Sequence, residues 1–266
     1  MRYDFSKVMD LKELIFCSVL FTDADYSGVP CLFHYTNASN REYIIKDDYI
    51  DLRFTRADAF FDEKEGQHII NVYSDAVEQC LHNKQIDFAF SEVLLSVIRD
   101  FASLCNTIRK KYVFCFSKAE MNQYLIENYA CRNKRAGMII GFHSYKIEEL
   151  TDIIYKDRYP VELYDVVYDG RYLSAYIQTL ICRMYQLKEQ DDAQMTLIKR
   201  VAMNQLAMYS LVYKSPVYAE EKESRMIVDY SLIDPNNSQV FLDSNHNYIH
   251  VLVENSFLYN TSEVMI

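Results

Sequence analysis

The run YAEEKESR, Tyr218 to Arg225, is the densest concentration of ionisable groups in the chain, and it passes straight into the apolar stretch RMIV. If a strand begins a few residues before that stretch, its period of two sets Glu221, Glu223 and Arg225 on one face. Two carboxylates so placed repel each other unless a cation or a substrate hydroxyl lies between them, which makes the arrangement either costly or useful. Were the segment helical, Glu221 and Arg225 would instead form an ordinary i,i+4 pair on a solvated surface.

Two further segments carry candidate chemistry. In FHYT, Phe33 to Thr36, a strand places His34 and Thr36 on one face and Tyr35 on the other. A strand histidine is commonly a hydrogen-bonded core or edge residue; its functional reading is a neutral donor to a ribose hydroxyl. In CFS, Cys115 to Ser117, the serine ends a strand ahead of an amphipathic run bearing Tyr124 and Tyr129. Glu120 follows Ser117 by three, the capping-box spacing, so a helix N-cap and a site role are both open to it. Cys115 has apolar neighbours and reads as an inert thiol. His246 and His250 are four apart without the glutamate of an HExxH zinc site, and no metal site is expected.

The elements that must hold these residues can be read from local pattern. Strands are expected over Cys31–Thr36, Ile50–Thr55, Tyr112–Ser117, Met138–Phe142, Val161–Tyr168, Arg225–Tyr230 and Tyr248–Glu254, all rich in β-branched or aromatic residues. Helical spacing covers Asn71–Cys80, Phe88–Arg109, Lys118–Tyr129 and Tyr172–Tyr213, the last broken near Lys188–Asp192. The order lacks a regular βαβ alternation, so the expectation is an α+β fold. No repeat, low-complexity tract or linker divides the chain; residues 1–266 read as one domain, with helical insertions at about 65–110 and 170–213.

Composition removes whole classes. Five glycines in 266 residues leave no supply for GxGxxG or GxxxxGK[ST] loops, so Rossmann and P-loop readings fall away. A formal charge of −10 argues against broad phosphate neutralisation and hence against broad nucleic-acid binding, although Arg109-Lys110-Lys111 and the Arg132 to Arg135 group are local basic patches. Seven cysteines without a CxxC pair suit reduced thiols better than a disulfide framework or a zinc ribbon. The N-terminal MRYDFSKVMD lacks a signal pattern, and Leu14 to Phe21 is too short to span a bilayer, so a cytoplasmic protein without membrane contact is expected.

Taken in order, FHYT, LRFTRADAFFDEKE from Leu52, YVFCFS from Tyr112, GMIIGF from Gly137, Val161–Tyr168 and YAEEKESRMIV from Tyr218 resemble the bacterial family called domain of unknown function 2971. The resemblance covers residues 31 to about 230. Tyr218 stands where that family usually has Trp, and Ser224 where it usually has an aromatic, which marks a divergent member. The family is similar in layout to the ADP-ribosyltransferase superfamily. The resemblance therefore implies a split, mainly antiparallel sheet around a cleft, with inserted helical hairpins, and NAD as substrate.

On that resemblance His34 would hold the adenosine-side ribose, the backbone at Tyr35 or Thr36 would meet the nicotinamide amide, Ser117 would brace the site and Tyr129 would stack on the nicotinamide. Glu223 would be catalytic, because a carboxylate on the ribose hydroxyl stabilises the positive charge that develops as the glycosidic bond breaks. Glu221 would orient or deprotonate an acceptor, and Arg225 would keep the carboxylates ionised or touch a diphosphate. The implied activity is transfer of ADP-ribose to a macromolecule or to water, as in a toxin or phage-defence effector. The rivals are a non-catalytic nucleotide- or protein-binding domain on the same fold, and a metal-dependent nucleic-acid-processing enzyme needing a third carboxylate from Asp62 or Glu65.

Overall fold

The computed structural model describes residues 29–59, 63–147, 149–156, 162–188 and 192–265. Apolar side chains gather them into two compact units. One takes residues 63–109 and 167–216 and is helical; the other takes residues 29–59, 110–166 and 217–265 and contains the strands.

The helical unit is built from α1 (Glu63–His82), α2 (Phe88–Arg99), α3 (Phe101–Ile108), α4 (Gly170–Gln186) and α5 (Asp192–Val212). The stretch expected as one helix over Phe88–Arg109 is two. Asp100 leaves the helical region at φ −93°, ψ 62°, and its carboxylate accepts from Ser103 N–H, capping α3. Asp87 caps α2 in the same way through Phe90 N–H at 2.7 Å, and also accepts from Lys188 Nζ at 2.7 Å. The two helical segments expected at about 65–110 and 170–213 thus come together with each other.

The other unit is a mixed α+β arrangement around a curled antiparallel sheet of nine strands. These are β1 (Cys31–Asn37), β2 (Tyr49–Arg56), β3 (Lys111–Ser117), β4 (Gly137–His143), β5 (Glu162–Asp165), β6 (Glu223–Asp229), β7 (Val240–Leu242), β8 (Tyr248–Glu254) and β9 (Leu258–Val264). The order is β7-β8-β2-β3-β1-β4-β9, with β6 pairing β3 and β5. One face carries the main apolar core, including Leu32, Phe54, Phe114, Ile140, Phe142 and Met226. The other face of β1 and β4 carries Cys31, Phe33, Tyr35 and Ile139 under Leu125, Ile126 and Ala130.

Strand β3 organises the sheet. Its Val113 opposes Thr55 of β2 and its Ser117 opposes Phe33 of β1, while β6 pairs with its whole length. Alternate residues of a strand turn their backbone polar groups to the same edge, so Val113, Cys115 and Ser117 all address the edge that β2 and β1 share. β2 meets the first and β1 the last. Between them, His34 Nδ1 lies 3.0 Å from the Cys115 carbonyl, closing the divergence with a side chain.

Seven strands fall at the expected places, although the one expected over Val161–Tyr168 is confined to Glu162–Asp165. β7 and β9 were not expected. Their sequences, VFL and LYNTSEV, are too short or too polar to carry the pattern of a half-buried strand. Among the described residues, no helix is long and apolar enough to cross a membrane.

Candidate functional site

Strand register decides which candidate residues meet. Phe33, Ser117 and Glu223 stand directly opposite one another across β1, β3 and β6, and so share a face. Alternation adds Tyr35, Cys115 and Arg225 to that face. It also sends His34 and Thr36 to the opposite one, with Leu32, Phe114 and Ser224. The His34 ring lies 4.6 Å from that of Phe114, on the face that carries the main core. His34 and Glu223 are therefore on opposite faces of the sheet, and the ribose-holding histidine expected beside the catalytic glutamate is not beside it.

His34 has a structural task instead. Because the Cys115 carbonyl can only accept, Nδ1 must carry the proton in this contact, which assigns the neutral imidazole its tautomer. Burial lowers the pKa of the ring, with the backbone hydrogen bond opposing the shift. Thr36 is likewise turned inward to its own chain, its Oγ1 accepting from Asn40 Nδ2 at 2.8 Å.

Glu221, Glu223 and Arg225 are all buried, at 2%, 9% and 4% exposure, so the solvated-surface reading of this triplet is wrong. The reading of a single strand face is also incomplete. Glu221 ends a 3₁₀ helix over Pro216–Glu221, and Lys222 adopts φ 45° before β6 begins at Glu223. A left-handed backbone is uncommon for a residue with a Cβ and marks local strain at the join. Its reason is geometric: the chain must leave the 3₁₀ turn and enter β6 while both flanking carboxylates stay inside.

The two carboxylates have different partners. Glu223 is gripped by Arg225, with Nε to Oε1 at 2.9 Å and Nη2 to Oε2 at 3.1 Å, a bidentate pair between alternate residues of one strand. Glu221 Oε1 accepts from the Tyr129 hydroxyl at 2.9 Å, and its carbonyl accepts from Ser117 Oγ at 2.8 Å. Tyr129 keeps 42% of its surface exposed while its hydroxyl is fixed on a buried anion.

Tyr129 rides on a π-helical turn, Ile126–Ala130, closed by Cys131 N–H to the Ile126 carbonyl at 2.7 Å. Such turns are rare and often occur at functional sites. Gly137 lets this turn approach β4, because a Cβ there would come within 2.6 Å of Ala130 Cβ. Tyr35 supports the segment leading into the turn. Its hydroxyl lies 2.8 Å from the Glu120 carbonyl and accepts from Asn122 N–H at 3.2 Å; burial raises its pKa.

Ser117 does not cap the following helix. Its Oγ accepts from Ala119 N–H, two residues on, and the helical cap is Asn122, which accepts from Leu125 N–H at 3.2 Å. Asn122 also donates to the Glu220 carbonyl, tying this segment to the 3₁₀ turn that carries Glu221. Asn122 and Lys222 are the residues that sequence reasoning missed. Asn122 had a legible cue, an Asx side chain three residues before the first buried apolar position, whereas nothing in a lysine announces a left-handed backbone.

The fold and site together define a mixed α+β protein whose curled antiparallel sheet carries a buried acidic-basic cluster beneath a half-exposed tyrosine. The chain matches no family model, no curated protein and no solved structure. Of the carboxylates expected to complete a metal site, Asp62 lies outside the described residues, as does the side chain of Glu65.

Proposed function

We propose that this chain is a nucleotide-binding domain of ADP-ribosyltransferase-like layout, in which the Glu221 carboxylate holds an aromatic platform and neither carboxylate cleaves a bond. The observation that carries it is the Tyr129–Glu221 pair: a partly exposed ring whose hydroxyl is fixed by a buried carboxylate. An aromatic ring held in place loses little freedom on binding, and any nucleobase or nicotinamide has a face to stack on it. Glu223 supports the non-catalytic side of the reading. Both its oxygens are engaged by Arg225, and His34 lies on the opposite face of the sheet. NAD, implied by the likeness to domain of unknown function 2971, is the first ligand to test.

A catalytic reading, with ADP-ribose transferred to a macromolecular acceptor or to water, is favoured by two local observations. Backbone strain at Lys222 and the π-turn under Tyr129 converge on Glu221, as they do where geometry is held for chemistry. Calorimetry with NAD, ADP-ribose and ATP, run beside an assay for free nicotinamide, separates the two. The expected result is nucleotide binding that Tyr129→Ala weakens roughly tenfold, the worth of one stacked base, without nicotinamide release. Release that Glu223→Gln abolishes would transfer the function to the enzyme reading. No binding of any of the three nucleotides would remove both.

A further inference from the structure

Two cysteines of the helical unit sit against one peptide group. Cys80, near the C-terminal end of α1, is fully buried, and its Sγ lies 3.9 Å from the Gln178 carbonyl of α4. In an α-helix that carbonyl is bonded to the N–H of residue 182, so the side chain of Cys182 lies one turn along the same face. The adjoining contact, Gln178 Nε2 to Gln79 Oε1 at 2.6 Å, fixes the approach of the two helices at this level. The Cys182 thiol is near enough to Cys80 to help raise the pKa of the Cys80 thiol. Both are free, and Cys182 is only partly buried.

We propose that Cys80 and Cys182 are a reversible redox modification site, forming an α1–α4 disulfide on exposure to a peroxide. Their unequal burial sets the order of events. Burial and the neighbouring sulfur push the Cys80 thiol up to about 12, so it is a poor first nucleophile. Cys182 reaches solvent and attacks one peroxide oxygen; the O–O bond breaks, leaving a sulfenic acid on Cys182 and releasing water. Cys80 sulfur then attacks the sulfenic sulfur, the S–O bond breaks, and the oxygen leaves as a second water. Two thiols give up two electrons and two protons, and one hydrogen peroxide is reduced to two waters.

The cross-link would staple the two chain segments of the helical unit, which are far apart in sequence and enclose the strand-bearing residues 110–166. Closing so long a loop constrains the unfolded chain strongly, so oxidation should raise the thermal midpoint, and reduction should restore the original value.

The test uses the full-length wild-type protein, treated natively with hydrogen peroxide, alkylated, and digested without reduction for peptide mass mapping. The expected product is a Cys80–Cys182 linked peptide, lost on treatment with dithiothreitol, together with a midpoint several degrees higher. Cys182→Ser should abolish both changes, and Cys105→Ser should leave both intact. Accumulation of sulfinic or sulfonic acid on Cys182 without the linked peptide would overturn the proposal. So would a linked peptide that forms only after denaturation.

Discussion

At the scale of single residues, the Glu223–Arg225 pair is the most consequential contact in the candidate site. Both members are buried, so each neutralises a charge the other could not leave in water. Arg225→Ala leaves the Glu223 carboxylate without its bidentate partner, and the expected loss is about 3 kcal/mol or more in urea unfolding. Replacing both, as in Glu223→Leu with Arg225→Met, removes the desolvation penalty together with the attraction. The double variant should therefore be more stable than Arg225→Ala alone. A double variant that loses as much as the single would show that these side chains serve packing and not mutual charge compensation.

At the scale of elements, the divergence of β1 and β2 along β3 depends on an imidazole that must stay neutral. Because burial lowers the pKa of His34 in the fold, the unfolded chain binds its proton first as pH falls. That contribution to stability is complete above the unfolded value of about 6.5 and declines as pH drops from there toward the folded value. His34→Asn keeps an N–H for the Cys115 carbonyl and has nothing to titrate. Its stability should fall less than that of wild type over this interval, as measured by urea midpoints at a series of pH values; identical slopes would remove His34 from the account. The π-turn is the second element whose placement rests on one residue. Gly137→Ala must displace Ala130, and the Tyr129 ring should move with it, weakening any nucleotide binding at least as much as Tyr129→Ala while far-UV circular dichroism stays unchanged. Elements of this kind divide into legible and illegible for physical reasons. The alternation of FHYT correctly separated Tyr35 from His34, because side-chain direction in a strand is local. That this same alternation turns His34 away from Glu223 required knowing that Phe33, Ser117 and Glu223 lie in one row, and register between distant strands is not a local property.

At the scale of the whole molecule, the chain builds a helical unit from two separated segments and places the strands before, between and after them. Helical periodicity located the two helical segments, since amphipathic spacing is written along the sequence; their association could not be read there, because it depends on which apolar faces find each other. Helix packing of this sort tolerates occasional misfits, and Tyr73 of α1 is one. It is fully buried, its hydroxyl has no hydrogen-bond partner among the described residues, and burial pushes its pKa well above the usual tyrosine value. A buried hydroxyl without a partner has lost water and gained nothing in return, at a cost of about 1 to 3 kcal/mol. Tyr73→Phe removes only that oxygen and leaves the ring in place, so it should stabilise the protein by about 1 kcal/mol. Urea unfolding followed by circular dichroism at helical wavelengths reads this directly. A midpoint that rises with an unchanged slope confirms it, and one that falls would mean that the hydroxyl is satisfied within the native core.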